Sequence, residues 1–293
     1  HLGVRIGPYL LLNRYKIKKL GIIMMENPAG AEWRRTKWNK LVQLYLLLSA
    51  IAMAKSTDCM VCDNEGIKNL YQKILIGRKP NLEYVAYGVE SVPTVKEIMP
   101  SKVENFFDKW DLKKDQYYLV LGRFIPENNY EMMFKGFIKS KTNRKLLVIC
   151  NYETEIKKFY KHIKESTEFE NDKRIIMVGT LYDRDILHYV RQYAHGYIHG
   201  HSVGGTNPGL LEAMAETDIN ILFNVDFNRY VGGNATVYFS NENELAKIIE
   251  EVGAITDENR IEMGKKARQI MENKYSWRFI CDEYSRVIHE ICE

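Results

Sequence analysis

The chain has 293 residues, enough for two domains, and its 45% hydrophobic and 27% charged content is that of an ordinary globular protein. The longest apolar run, 44–54, is interrupted only by Ser49 and falls short of the roughly 18 residues a spanning helix needs; no secretory signal is expected either. The net charge of +4 is uneven: residues 1–100 carry 15 Lys/Arg against 8 Asp/Glu, the remainder 27 against 30. A basic first part beside a slightly acidic second part points to an anionic partner (a phospholipid surface, a diphosphate-linked substrate or nucleic acid) or to an uneven but idle surface.

In chain order, the first residues read as strand-like. The patterns then predict strands at 21–26, 59–62 and 82–87, and further on at 117–121, 146–150, 174–178, 197–199, 219–223 and 237–239. Helical patterns fall between them, near 38–55, 65–75, 130–140, 153–165, 183–194, 208–216 and 242–253, and two helices without an intervening strand close the chain at about 257–273 and 276–292. This alternation predicts an α/β fold with parallel sheets covered by helices on both faces. The run 88–114, with Pro93 and Pro100 and a short amphipathic segment, reads as the link between domains. The chain starts with His1 rather than Met, and its first part has fewer strands than a free-standing doubly wound domain. The expectation is that roughly a hundred residues are missing upstream.

Five cysteines, 59, 62, 150, 281 and 292, have no framework spacing. Cys59 and Cys62 form a CxxC inside a predicted strand, where positions three apart face opposite ways and no second pair exists, so they read as small buried residues rather than a zinc site. His199 and His201 lack a convincing metal partner, and no metal is expected.

Residues 199–214 carry the strongest signal: a glycine loop leaves a short strand and feeds a helix. Free backbone N–H groups and the helix dipole make such a junction an anion site. Asn207 is a good N-cap and Pro208 fits the first helical position. Glu212, one turn in, is placed to accept hydrogen bonds from two sugar hydroxyls; the bland alternative is a solvated glutamate, which its apolar neighbours Leu210, Leu211, Ala213 and Met214 disfavour. In open α/β sheets ligands sit at the C-terminal strand ends. That rule adds Gly122 and Arg123 after the strand at 117–121, with Arg123 offering a fork to a diphosphate or else pairing with Glu127. It also adds Thr180, whose loop can meet a nucleotide base. His201 either bonds a phosphate or sugar hydroxyl or packs as a loop histidine. Asp183-Arg184-Asp185 spells DxD but opens a helix, where acids suit the dipole. Before the helix at 38–55, Glu32, Trp33, Arg35 and Trp38 are placed to line an acceptor pocket, and that helix is either an interfacial helix or a buried one with a solvated first turn.

These residues resemble the retaining GT-B glycosyltransferases, and within them the rhamnosyltransferase-like subgroup of bacterial capsule and polysaccharide assembly. The matching text is Glu-Trp-Arg-Arg-Thr-Lys-Trp (32–38), Ala-Tyr-Gly-Val-Glu (86–90), Gly-Arg-Phe-Ile-Pro-Glu-Asn-Asn-Tyr-Glu (122–131), the loop and helix start at 201–214, and Tyr-Ser-Trp (275–277). The resemblance implies two Rossmann-like doubly wound domains: an acceptor-side domain over 1–110, truncated at its N-terminus, a donor domain over 111–273, and a C-terminal helix, 274–293, packing back toward the first. It implies Gly122, Arg123, Asn128, Thr180, Gly204, Gly205, Thr206, Asn207 and Glu212 as donor-binding residues, with Arg123, Glu212 and His201 serving catalysis. The broad superfamily pairs Glu212 with an earlier glutamate, whose position here is Gly204, and has a lysine where Asn128 stands. Ala29 stands where the subgroup carries an acid.

The implied activity is retaining transfer of a deoxyhexose such as rhamnose from a dTDP-, UDP- or GDP-sugar to a lipid-diphosphate-linked saccharide. It requires no cofactor and proceeds in the cytoplasm, peripheral to the inner membrane face. The alternatives are a non-catalytic nucleotide-sugar-binding subunit or fragment, and a GT-B nucleotide-sugar epimerase. Nucleic acid is not an expected partner, because the basic residues are scattered, and no GxGxxG follows a strand to support a dehydrogenase.

Overall fold

The computed structural model describes residues 3–90, 99–152 and 157–293. Among the described residues nine strands form two parallel sheets. Met25–Glu26 (β1), Cys59–Cys62 (β2) and Asn81–Tyr84 (β3) make the first, in the order β1-β2-β3. The second is built from Tyr117–Leu121 (β4), Lys145–Ile149 (β5), Ile175–Gly179 (β6), Gly196–His199 (β7), Asn220–Phe223 (β8) and Val237–Phe239 (β9), in the order β6-β5-β4-β7-β8-β9. Chain direction reverses its march across this sheet between β4 and β7, which pair through Tyr118–Gly196 and Leu119–Tyr197. Such a switch point opens a crevice beyond the carboxyl ends of the two strands. The residues of β2 and β7 are buried throughout, as strands covered on both faces must be.

The helices are Gly7–Lys19 (α1), Lys40–Ser56 (α2), Glu65–Ile74 (α3), Ser101–Lys109 (α4), Tyr130–Lys139 (α5), Lys157–Thr167 (α6), Arg184–Tyr193 (α7), Pro208–Glu216 (α8), Asp226–Gly232 (α9), Glu242–Gly253 (α10), Asp257–Tyr275 (α11) and Trp277–Cys292 (α12). The N-terminal reading is corrected: 7–19 is helix, and the strand expected at 21–26 contracts to β1. Pro8 sits in the first turn of α1, and Lys16, Lys18 and Lys19 occupy the last, where cations suit the dipole. Gly7 lets α1 meet α2 closely, since a Cβ there would lie 1.8 Å from the Ser49 carbonyl oxygen. Inside the expected link, α4 is a full helix; residues 91–98 of that link and 153–156 of the helix expected at 153–165 lie outside the described residues.

One apolar core joins Val61 and Val85 of the first sheet region to Leu119, Tyr197 and Leu211 of the second, and reaches Ile280 and Val287 of α12. Helix α12 also meets the first sheet through Arg286, 3.4 Å from Glu83. Just before it, Val89 N–H donates to the Tyr275 carbonyl at 2.7 Å. A second core lies on the other face of the large sheet, around Val120, Phe134, Leu146 and Ile249. A third packs α1 and α2 against β2 and α3 through Leu10, Leu46, Met53 and Tyr71. Among the described residues no helix is long and apolar enough to cross a membrane.

Candidate functional site

The crevice between β4 and β7 holds a cavity of about 300 Å³ lined by Arg35, Asp63, Arg123, Asn128, His201 and residues 203–207, among others. Its floor is the glycine loop. Asn207 caps α8 by accepting from the Gly209 N–H at 2.9 Å, and Pro208 begins the helix. The backbone N–H groups of 203–207 have no hydrogen-bond acceptor among the described residues. Several such donors at one helix start make an anion cradle. The loop is pinned from behind: Ser202 donates its N–H and its hydroxyl to the Glu127 carbonyl, both at 2.8 Å, and Asn228 donates to the His201 carbonyl at 3.1 Å.

Arg123 is exposed and makes no ion pair with Glu127 or with any other described residue. Its guanidinium is therefore free to take an anion bidentately. Asn128, buried, lines the cavity and donates to the Arg123 carbonyl at 2.7 Å, which holds the turn. Glu127 accepts from the backbone N–H and the hydroxyl of Thr36, each at 2.8 Å, joining the loop after the short 3-10 turn Glu32–Arg34 to the loop after β4.

His201 stacks on His199, ring centroids 4.2 Å apart. Burial, with Arg123 and Arg35 nearby, pushes His201 down to about 4, and burial with the neighbouring His201 drives His199 well below the usual histidine range. Both rings are neutral at physiological pH. His201 can serve the cavity as a hydrogen-bonding group but not as a cation.

A second cavity, of about 540 Å³, adjoins the first across Tyr87 and Pro208. Its lining includes Gly88, Arg184, Arg191, Glu212, Glu216 and Trp277. Glu212 opens into this cavity, not into the one containing Arg123. One of its oxygens is held by Arg191, whose buried guanidinium also reaches Glu216 at 3.5 Å. Thr180 lines neither cavity; Arg184 and Asp185 line the second instead. Asp183 accepts from the N–H groups of Asp185 and Ile186, a helix cap.

The acceptor-side quartet separates. Arg35 reaches the first cavity, with its Nε 2.8 Å from Glu32. Trp33 is corrected to a core residue: it is 9% exposed and packs edge-on to Tyr71 at 5.9 Å. Glu32 is occupied by Arg35, Lys37 and the Trp38 indole N–H, and Lys37 lies over the Trp38 ring at 4.6 Å. Neither Glu32 nor Trp38 lines either cavity.

Sequence reasoning passed over Asp63 and Arg191. Asp63 directly follows a predicted strand, so the strand-end rule that found Arg123 would also have found it. The Arg191–Glu212 pair joins two helices, and no sequence spacing signals it.

Comparison with known proteins agrees with this architecture. Residues 1–90 match a domain of unknown function (DUF1972). No curated protein matches the chain. Among solved structures, HepE from Anabaena in complex with UDP-glucose is 10% identical with a TM-score of 0.76, covering 97% of this chain and 77% of that one. Sucrose-phosphate synthase from Thermosynechococcus elongatus is 14% identical with a TM-score of 0.73, covering 96% and 72%. The UDP-forming α,α-trehalose-phosphate synthase from Burkholderia vietnamiensis is 12% identical with a TM-score of 0.70, covering 94% and 72%. The fold is that of the GT-B glycosyltransferases.

Proposed function

We propose that this chain is a glycosyltransferase that takes its donor as a nucleotide sugar. The observation that carries the reading is the pairing of unspent amides at 203–207 with the free Arg123 guanidinium across one cavity. The donor's diphosphate lies there, held by the amides, Arg123 and Arg35. Its nucleoside extends into the neighbouring cavity, where the unpaired oxygen of Glu212 accepts from the ribose hydroxyls and Tyr87 and Trp277 offer ring surfaces. Charge that develops on the leaving diphosphate is stabilised by dipoles and guanidiniums already in position, so no metal is required. The UDP and UDP-glucose bound in the HepE structures support a nucleotide-sugar donor.

The finer reading is retaining transfer of a deoxyhexose such as rhamnose to a lipid-linked saccharide at the inner membrane face. Exposed Leu12 and Tyr15 of α1, Leu20 just after it, and Leu41, Leu44 and Leu48 of α2, with Lys16, Lys18 and Lys19 close in sequence, support contact with an anionic lipid surface.

The test is a thermal-shift panel of UDP-glucose, dTDP-rhamnose and GDP-mannose with their parent diphosphates, on wild type, Arg123→Ala and Glu212→Ala. One nucleotide is expected to stabilise the wild type, Arg123→Ala to lose the shift from diphosphate and sugar alike, and Glu212→Ala to lose most of it. A panel in which no nucleotide shifts the wild type overturns the reading. Binding without transfer to any saccharide acceptor leaves a binding subunit and removes the enzyme.

A further inference from the structure

Asp63 stands at the carboxyl end of β2 and is 5% exposed. Its Oδ1 is buried and has no hydrogen-bond partner among the described residues. The carboxyl lies so close to the glycine loop that a Cβ on Gly205 would be 2.2 Å from Oδ1 and 2.7 Å from Cγ. The main chain fixes this placement. The Thr206 hydroxyl donates to the Asp63 carbonyl, and the Asn64 amide donates to Thr206 at 3.4 Å and to the Phe227 carbonyl at 3.3 Å.

A buried carboxylate oxygen without a donor is costly, and an isolated one in a native fold calls for an explanation. Here the residue lines a cavity. The other carboxylate lining that cavity, Glu127, is already engaged by Thr36. Among the described residues no group of three or more potential metal ligands exists. A phosphate set directly against this carboxylate would be repelled; of the groups next to the diphosphate in a nucleotide sugar, the hexose hydroxyls can donate to it.

Resting on the donor site proposed above, we propose that Asp63 is a sugar-contacting, specificity-determining residue: its carboxylate accepts a hydrogen bond from a hydroxyl of the hexose being transferred. The hexose rather than the acceptor is meant because Asp63 abuts Gly205, part of the loop that holds the diphosphate to which the hexose is directly attached. Burial raises the carboxyl to about 6, so it is largely ionised at neutral pH and acts there as an acceptor.

Isothermal titration of wild type, Asp63→Asn and Asp63→Ala with UDP and UDP-glucose, dTDP and dTDP-rhamnose, and GDP and GDP-mannose tests this. For the pair that the wild type binds, both variants are expected to lose about tenfold or more in affinity for the nucleotide sugar, while the diphosphate Kd stays within about twofold. Asp63→Asn is expected to melt no lower than wild type, because Oδ1 has no hydrogen-bond partner among the described residues and the buried charge is removed. Equal losses for diphosphate and sugar, unchanged sugar binding, or a markedly lower melting point of Asp63→Asn each overturn the proposal while the donor site stands. A wild type that binds neither ligand of any pair removes the donor site, and this proposal with it.

Discussion

Glu127 and Thr36, ninety-one positions apart in sequence, are joined by two hydrogen bonds of 2.8 Å that converge on one carboxylate oxygen. Burial works against the charge on Glu127, yet the Thr36 hydroxyl and N–H, with Arg35 nearby, hold its carboxyl below the usual range. Glu127→Ala is expected to cost about 1.5–3 kcal/mol in urea unfolding, as for hydrogen bonds to a charged group. A depressed carboxyl stabilises the fold above its unfolded value, near 4.3, and that contribution is lost as pH falls through the folded value. The gap between wild type and Glu127→Ala should therefore narrow on acidification below about pH 4. A gap that stays constant from pH 7 to pH 3 refutes the assignment.

Asp63 carries the opposite sign. Its carboxyl is raised to about 6 by burial, against about 3.9 in an unfolded chain. Protonated Asp63 imposes no penalty, so stability is full below the unfolded value and declines as pH rises through 6. Asp63→Asn should match wild type near pH 4 and exceed it by about 1–3 kcal/mol at pH 8. Parallel urea series at the two pH values check this; equal differences at both would count against it.

Gly205 and Asp63 should behave as a coupled pair. Gly205→Ala pushes a methyl into the Asp63 carboxyl, 2.2 Å away, and is expected to cost about 1–3 kcal/mol, as overpacking does. Asp63→Ala opens the space, so the double variant should recover most of that loss. Additive single effects in a double-mutant cycle would show that the two do not touch.

Arg191 is clamped between Glu212 and Glu216, with its side chain 8% exposed. Replacing it with methionine leaves Glu216, itself mostly buried, without its guanidinium. The expected cost is about 3–5 kcal/mol in urea unfolding. A loss under about 1 kcal/mol would mean the cluster is solvated enough to be a surface ion pair.

Ala29 adopts a left-handed backbone, φ 52°, a conformation that costs an alanine about 1 kcal/mol or more. Ala29→Gly should raise the unfolding free energy by about that amount. No gain, or a loss, would show that the turn is held elsewhere, for instance by the Asn27 side chain that accepts from the Ala29 N–H at 2.8 Å.

Much of this arrangement could be read from the sequence. The strand at 117–121 and the Asn207–Pro208 helix start emerge as read, because local periodicity and capping chemistry decide them. Helix α1 was misread because Tyr9-Leu10-Leu11-Leu12 is an unbroken apolar run, and a short run of that kind does not distinguish strand from helix. Trp33 is expected from the sequence to line an acceptor pocket but packs into the core. Which side of a turn faces the core depends on packing with distant residues, here Tyr71, and no local pattern records it. The placing of Glu212 in a separate compartment from Arg123 likewise follows from the path of α8 and from Arg191, both set by tertiary structure.

The stacked, uncharged imidazoles of His199 and His201 change how titration curves of ligand binding should be interpreted. Neither ring becomes imidazolium near neutrality, and guanidiniums keep their protons there. An inflection close to pH 6 therefore does not report either of these two rings; among the groups lining the first cavity, Asp63, raised to about 6, titrates in that range.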